Sequence, residues 1–475
     1  MRAHPAGPRH GDPIQSGVPL RPNSVEQALA LDPRIWPETA SRQADGAIVI
    51  GGVDVRDVAE RFGTPVFVLD EVHLRSVAAR YRDAFCRNGS GCDVYYASKA
   101  FLTSKVARWL VDDGLRIDVC TGGELEVALR AGVPGESILF HGNNKSSGEL
   151  AGALEAGVGR FVVDSFLEIV RLAALAEDKG VMADVLVRVT VGVEAHTHEY
   201  IATAHEDQKF GLALADGSAA EACRRVADLP SLRLAGLHSH IGSQIFDPAG
   251  FEVAARRLVG LAADLAGEGL AVGELNLGGG MGIAYTSDDD PLDVSQMAEA
   301  MITIVAGECH THGLPVPRLA VEPGRAIVGP AAITVYTVGT TKRVVLDSGH
   351  SRTYVSVDGG MSDNIRTALY DVEYTVTLAN RSSDAELILC RVVGKHCESG
   401  DIVVRDAWLP EDVCPGDLLA VAATGAYCRS MASNYNYLPR PGVVGVRGGK
   451  TEVVLRRETL DDLLALDPGL DPGDE

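Results

Sequence analysis

Eight short apolar runs rich in β-branched residues alternate with amphipathic stretches between positions 93 and 325, and no other feature of the chain limits its fold as much. The runs are DVYYAS (93–98), LRIDVC (115–120), SILFHG (137–142), RFVVDS (160–165), DVLVRVTV (184–191), LRLAGLHSH (232–240), GELNLGG (273–279) and RLAVEPG (318–324). Between them, stretches such as SKVARWLVDDG and SFLEIVRLAALAEDKG place apolar residues at i, i+3, i+4 and i+7, the spacing of a helix with one buried face. Strands that are apolar on both sides are parallel strands covered on both sides. Eight such repeats over about 230 residues fit an α/β fold built on a closed (β/α)8 barrel of TIM type. An open doubly wound sheet is the alternative, but eight repeats without a break favour closure.

Past 326 the pattern changes to Val-, Thr- and Tyr-rich runs with turn punctuation (AAITVYTVG, TYVSVDGG, DVEYTVTL, GDIVVRD, TEVVLR), which predict a C-terminal β domain of sandwich or barrel type. The expected organisation is a flexible extension over 1–40, a segment over 41–69 that contributes to the β domain, the barrel over 70–326, the β domain over 327–465 and a flexible tail over 466–475. The extension is rich in Pro, Arg, His and Gly without a continuous apolar core, so it does not read as a secretory signal. A late amphipathic helix, ETLDDLLAL, closes the β domain.

At 475 residues, with 46% hydrophobic and 23% charged, the chain is long enough for two folded domains. Its 65 acidic against 43 basic residues give a net charge of −22 with no basic patch, which argues against nucleic acid and anionic membrane partners. No run of 18 apolar residues suggests a membrane span. The nine cysteines are odd in number, irregularly spaced and without a C-x-x-C pair, so reduced thiols in a cytoplasmic protein are expected rather than a disulfide framework or zinc ribbon.

The active site of such a barrel lies at the carboxyl ends of its strands. There the sequence places Lys99, Asp118 and Cys120, His141 to Asn144, Arg188, His238, His240 and Ser243, Gly278 to Gly280, and Glu322 with Arg325. Any one of these could be a cap or a satisfied core polar group; together they need a common purpose. Lysine is scarce, and Lys99 directly follows a buried strand, where desolvation would lower its pKa and let the amine form a Schiff base with an aldehyde. Gly278, Gly279 and Gly280 let main-chain N–H groups approach an anion, and barrels often bind phosphate after strands seven and eight. A dinucleotide reading of LGGGMG fails on spacing. Glu322 in VEPGR could keep a pyridine nitrogen protonated, and Arg325 suits a carboxylate. Amine, phosphate loop and carboxylate on one face point to pyridoxal 5'-phosphate, with no metal.

The motifs YYASKA (95–100), DVCTGGEL (118–125), HGNNKS (141–146), HSHIGSQ (238–244), GGGMG (278–282), VEPGRA (321–326), VDGGMSDNIRTALY (357–370), KHCESGD (395–401) and TGAYCRS (424–430) resemble the diaminopimelate decarboxylases, in order, from about residue 45 to 465. These are fold type III pyridoxal phosphate enzymes. The resemblance implies decarboxylation of meso-2,6-diaminopimelate to L-lysine and carbon dioxide, the last step of lysine biosynthesis, by a homodimer with shared active sites. It implies that Lys99 holds the cofactor through a Schiff base and that His240 stacks on its ring. Ser243 and Gly278 to Gly280 would bind the phosphate, and Glu322 would meet the pyridine nitrogen. Arg325 and Tyr427 would complete the cofactor site. Arg325, Arg366, Tyr370, Glu398 and Tyr427 would hold the substrate, and Cys397 of the partner subunit would supply the proton to Cα.

The other readings are an ornithine or arginine decarboxylase or a racemase on the same fold, a metal-dependent hydrolase using His196, His198, His238 and His240, and a pyridoxal phosphate carrier without activity. The long segment 196–211 suggests a lid over the site.

Overall fold

The computed structural model describes residues 19–86, 91–192, 209–345 and 351–470, which divide into two compact units. One comprises Arg75–Ile283 and Asp290–Ile327; the other comprises the chain up to Leu74, Ala284–Asp289 and the chain from Val328.

The first unit is the expected barrel. Its strands are β1 (Cys92–Ala97), β2 (Arg116–Val119), β3 (Ile138–Phe140), β4 (Arg160–Val163), β5 (Ala183–Thr190), β6 (Leu232–His238), β7 (Glu274–Asn276) and β8 (Arg318–Val321). Each pairs in parallel with the next, and β8 pairs with β1 through Leu319 and Cys92, so the sheet closes on itself. Tyr95, Leu139, Val162, Leu186 and Ala320 point inward from five strands and pack into one buried cluster. Side chains therefore fill the interior, as in other closed barrels of this size.

Short polar turns convert strand to helix in the same way four times. Thr103, Thr121, Ser146 and Ser165 follow their strands and accept a hydrogen bond from a backbone N–H of the helix they cap. These caps satisfy donors that a helix start leaves unpaired, each contributing about 1 kcal/mol. At the opposite, amino-terminal end of the barrel, Asp93 on β1 pairs with Arg116 on β2 and Arg318 on β8. That ion-pair cluster joins three strands on the face away from the site. Of the segment suspected of being a lid, 196–211, residues 196–208 lie outside the described residues, His196 and His198 among them.

The second unit is a β domain. Ala332–Val345 is its longest strand; its first half pairs antiparallel with Val66–Asp70 and Leu418–Val421, and its second half with Ser351–Val357. Val66–Asp70 also pairs in parallel with Gly442–Arg447, so a strand from the start of the chain sits inside a sheet built mainly from its end. Leu387–Val393 and Ile402–Pro410 extend the sheet from Ser351–Val357. Ile35, Trp36, Ile48, Val55, Val68, Ile333 and Val335 share one buried cluster, which draws residues near 35 into the fold. The closing helix is short, Leu460–Leu464, with Thr459 and Asp462 forming its capping box. Among the described residues no helix is long and apolar enough to cross a membrane.

Candidate active site

The carboxyl ends of the barrel strands bring Lys99, His240, Ser243, Gly278 to Gly280, Glu322 and Arg325 into one unit. Lys99 lies in a single 3-10 turn, Ser98–Ala100, just past β1. It is exposed, unlike the desolvated lysine expected from sequence, because the turn carries it beyond the buried strand. Its positive charge still reaches inward. Burial, reinforced by Glu322, pushes the Asp118 carboxyl on β2 well above the ordinary range, and Lys99 pulls against that shift.

The glycines after β7 are packed on two sides. A Cβ on Gly279 would stand 2.1 Å from the Glu322 carbonyl oxygen, and one on Gly280 would stand 2.3 Å from the Gly242 carbonyl oxygen. Gly278 adopts a left-handed φ of +69° and would meet the Ser239 carbonyl oxygen at 2.6 Å. Only residues without a side chain allow this loop to lie so close to the ends of β6 and β8. The Gly279 N–H donates to His240 Nδ1 at 3.3 Å, which ties the imidazole to the glycine loop. Burial, aided by Lys99 and Arg188, holds the His240 pKa well below the ordinary value, so the ring is neutral. Arg325 is buried and donates from Nη2 to Ser243 Oγ at 3.0 Å.

Glu322, at the end of β8, is the electrostatic centre of this face. Its Oε1 accepts from His141 Nε2 at 2.7 Å and from Asn276 Nδ2 at 2.8 Å. His238 Nε2 lies 3.3 Å from Oε1 and 3.4 Å from Oε2. Burial favours the neutral acid, but His141 and His238 outweigh it and keep the carboxyl well below its usual range. Burial drives His141 down to about 3 and lowers His238 as well. The arrangement is thus an ionised carboxylate facing neutral imidazoles, which we assign as Nε2–H tautomers because a proton there meets the carboxylate.

His141, His238 and Glu322 offer ligand atoms within 4.8 Å of one another, a composition that also suits a metal ion. Ligands about 2.1 Å from one tetrahedral ion sit roughly 3.4 Å apart. The 2.7 Å contact between His141 and Glu322 is shorter and has the length of a charge-assisted hydrogen bond. Asn276 is absent from the strand ends read from sequence, and His141, read among them, has no role assigned to it there; the only signal for either is a polar residue at, or just past, the end of a buried strand.

Arg366, Tyr370, Cys397, Glu398 and Tyr427 belong to the other unit. Arg366 is buried, and its Nη1 donates to the hydroxyls of Tyr285 and Tyr374, both at 2.7 Å. Tyr370 ends the short helix Arg366–Tyr370 and is partly buried. Cys397 is exposed, and its backbone N–H donates to Asn436 Oδ1 at 3.4 Å. Next to it, buried His396 is held by Ser362 Oγ at 2.8 Å, and Glu398 accepts from the Gly400 N–H at 3.2 Å. Tyr427 has a φ of +59°, a left-handed conformation that a bulky residue adopts only where its surroundings hold it. Three motifs meet here: the Lys395 N–H donates to the Gly359 carbonyl at 3.0 Å, and Cys428 Sγ lies 3.6 Å from Asn364 Oδ1.

Residues 73–329 match the family model of the pyridoxal-dependent decarboxylases, specifically its pyridoxal binding domain. The barrel with its lysine, glycine loop and buried glutamate is therefore the cofactor-binding domain of that enzyme class. Over 448 residues the chain is 56% identical to the diaminopimelate decarboxylase of Mycobacterium tuberculosis, covering 93% of this chain and all of that one. It is 46% identical to the Bacillus subtilis enzyme of the same name, covering 90% of this chain and 97% of that one. The crystal structure of diaminopimelate decarboxylase from M. jannaschii in complex with L-lysine superposes with a TM-score of 0.84 at 32% identity, covering 91% of this chain and 98% of that one. The chain belongs to the diaminopimelate decarboxylase family.

Proposed function

We propose that this chain decarboxylates meso-2,6-diaminopimelate to L-lysine and carbon dioxide with pyridoxal 5'-phosphate, as a cytoplasmic homodimer whose subunits share their active sites. The observation that carries the reading is the buried, ionised Glu322 on the same barrel face as Lys99 and the glycine loop. A phosphorylated pyridine aldehyde suits this donor set: an exposed amine, a loop whose main chain no Cβ obstructs, and a carboxylate for the ring nitrogen. The similarity to named diaminopimelate decarboxylases along nearly the whole chain supports the choice of substrate.

When bound, the cofactor supplies an electron sink for the pair left by breaking the Cα–carboxylate bond. The chain supplies the rest. Lys99 holds the aldehyde carbon through its amine. Gly278, Gly279, Gly280 and Ser243 would hold the phosphate, and Arg325 and Tyr427 would complete the cofactor site. His240, tied to the Gly279 N–H, would hold the ring, and Glu322 would hold the proton on the ring nitrogen. Diaminopimelate has an amino acid centre at each end, so its distal end presents a carboxylate and an ammonium together. Arg325 and Arg366 suit the carboxylate, and Glu398 suits the ammonium, with Tyr370 and Tyr427 beside them. Cys397 of the partner subunit holds the proton delivered to Cα, a task that suits an exposed thiol.

Purified protein supplied with pyridoxal phosphate is expected to release carbon dioxide and form lysine from meso-diaminopimelate, with little turnover of ornithine or arginine run in parallel. Preference for ornithine or arginine would move the chain to another decarboxylase specificity, and failure to take up the cofactor would overturn the reading altogether. Cys397→Ser is expected to bind cofactor and substrate but turn over slowly.

A further inference from the structure

The two oxygens of Glu322 are treated unequally. Oε1 accepts from His141 Nε2 at 2.7 Å and Asn276 Nδ2 at 2.8 Å, which fills the two lone-pair directions of a carboxylate oxygen. Among the described residues only His238 reaches Oε2, through a long hydrogen bond of 3.4 Å that leaves that oxygen's second lone-pair direction open. Oε2 thus keeps its acceptor capacity. His238 cannot create this asymmetry, because it lies 3.3 Å from one oxygen and 3.4 Å from the other.

His141 is itself clamped. Its backbone N–H donates to the Val119 carbonyl at 2.7 Å, and its ring meets His238 edge to face at 4.7 Å. The loop that follows is tied down by buried Lys145, whose Nζ donates to Gly142 O at 2.6 Å and Val162 O at 2.8 Å. A donor held this firmly fixes the rotation of the carboxylate it meets.

We propose that His141 is a positioning residue that turns Glu322 so that Oε2 is the oxygen presented to the cofactor's ring nitrogen. The inference rests on the cofactor reading above and adds a residue to it. A group that only filled space in the barrel mouth would matter equally to any ligand of the same shape. A group that aims Glu322 matters only to a ligand with a ring nitrogen.

The test is a titration of cofactor-free protein with pyridoxal phosphate and with its analogue in which the ring nitrogen is replaced by C–H. His141→Leu is expected to weaken pyridoxal phosphate binding on the order of tenfold, the scale of one charge-assisted hydrogen bond. Binding of the C–H analogue should stay within about threefold of wild type. His141→Gln, whose amide N–H can replace Nε2–H, should restore pyridoxal phosphate binding while leaving the analogue unchanged. Equal losses for both ligands in His141→Leu would overturn the proposal, and so would wild-type affinity for both. Wild-type protein that bound neither ligand would overturn the cofactor reading instead, so the two failures are distinguishable.

Discussion

Lys145 Nζ lies 2.7 Å from Glu168 Oε1, and neither side chain is open to solvent. Burial lowers the lysine pKa and raises that of the glutamate, and each partner opposes the shift of the other. The pair joins the loop after β3 to the helix Phe166–Lys179. Lys145→Met removes the cation and leaves a buried carboxylate without one, which is expected to cost about 3–5 kcal/mol of unfolding free energy. Adding Glu168→Leu should recover part of that loss, since a paired charge is then replaced by apolar packing. Chemical denaturation of the two variants checks this; a double variant less stable than Lys145→Met would show that the ion pair is not what the single change disrupts.

Gly279 and Gly307 should respond to alanine in opposite directions. A Cβ at 279 would stand 2.1 Å from the Glu322 carbonyl oxygen, a backbone atom that cannot step aside without moving β8. Gly279→Ala is expected to cost at least 1–3 kcal/mol and weaken cofactor binding. Gly307 is exposed within the helix Val294–Thr311, and its Cβ would meet nothing within 4 Å. Gly307→Ala should raise stability by about 0.4–1 kcal/mol, chiefly by restricting the unfolded chain. Thermal unfolding and cofactor titration of both variants distinguish the two cases.

The barrel is legible in the sequence because strands buried on both sides cannot carry polar residues except at their ends. Lys99 and Glu322 stand out for the same reason. Less legible is which strand ends converge, since that depends on closure: His141 and Glu322 lie 181 positions apart and meet only because β3 and β8 share one ring. Lys145 follows two asparagines and resembles a surface lysine, yet it is shut in because an acidic partner arrives from the helix that follows β4. In the β domain, AAITVYTVG marks only the first part of its longest strand. The strand runs on to Val345 through TTKRVV, whose side chains are mostly exposed, because antiparallel pairing with Ser351–Val357 holds it rather than burial. Pairing of that kind leaves little hydrophobic pattern to detect.

Arg366 contacts both Tyr285 and Tyr374 through Nη1, and its guanidinium lies 4.8 Å from the Tyr285 ring centre. Among the described residues these hydrogen bonds use Nη1 alone, which leaves Nε and Nη2 to grip a carboxylate in the two-point manner that arginine favours. Arg366→Lys keeps the charge but not the fork, so it is expected to lose most of the turnover lost by Arg366→Ala, on the order of a hundredfold in kcat/KM. The absorbance of bound cofactor should survive in both variants. A lysine variant with wild-type kcat/KM would remove Arg366 from substrate recognition.

Asp363 offers a test by pH that leaves the barrel untouched. Burial, aided by the nearby charge of Asp401, pushes its pKa up to about 7, against hydrogen bonds from the Tyr336 hydroxyl and the Gly360 N–H. In the unfolded chain an aspartate ionises near ~3.9. Between those two values the native state holds a proton that the unfolded chain has released, so the stability this group contributes is fully present below about 3.9 and fades as pH rises to about 7. Asp363→Asn cannot ionise; its amide oxygen can still accept from Gly360 and its amide nitrogen can donate to Tyr336. The denaturation midpoint of wild type should therefore fall more steeply than that of Asp363→Asn between pH ~5 and ~7, with the two curves parallel above that range. Groups that titrate in both proteins cancel in the comparison. Curves that run parallel throughout would mean that Asp363 ionises in the native state at an ordinary pH despite its burial.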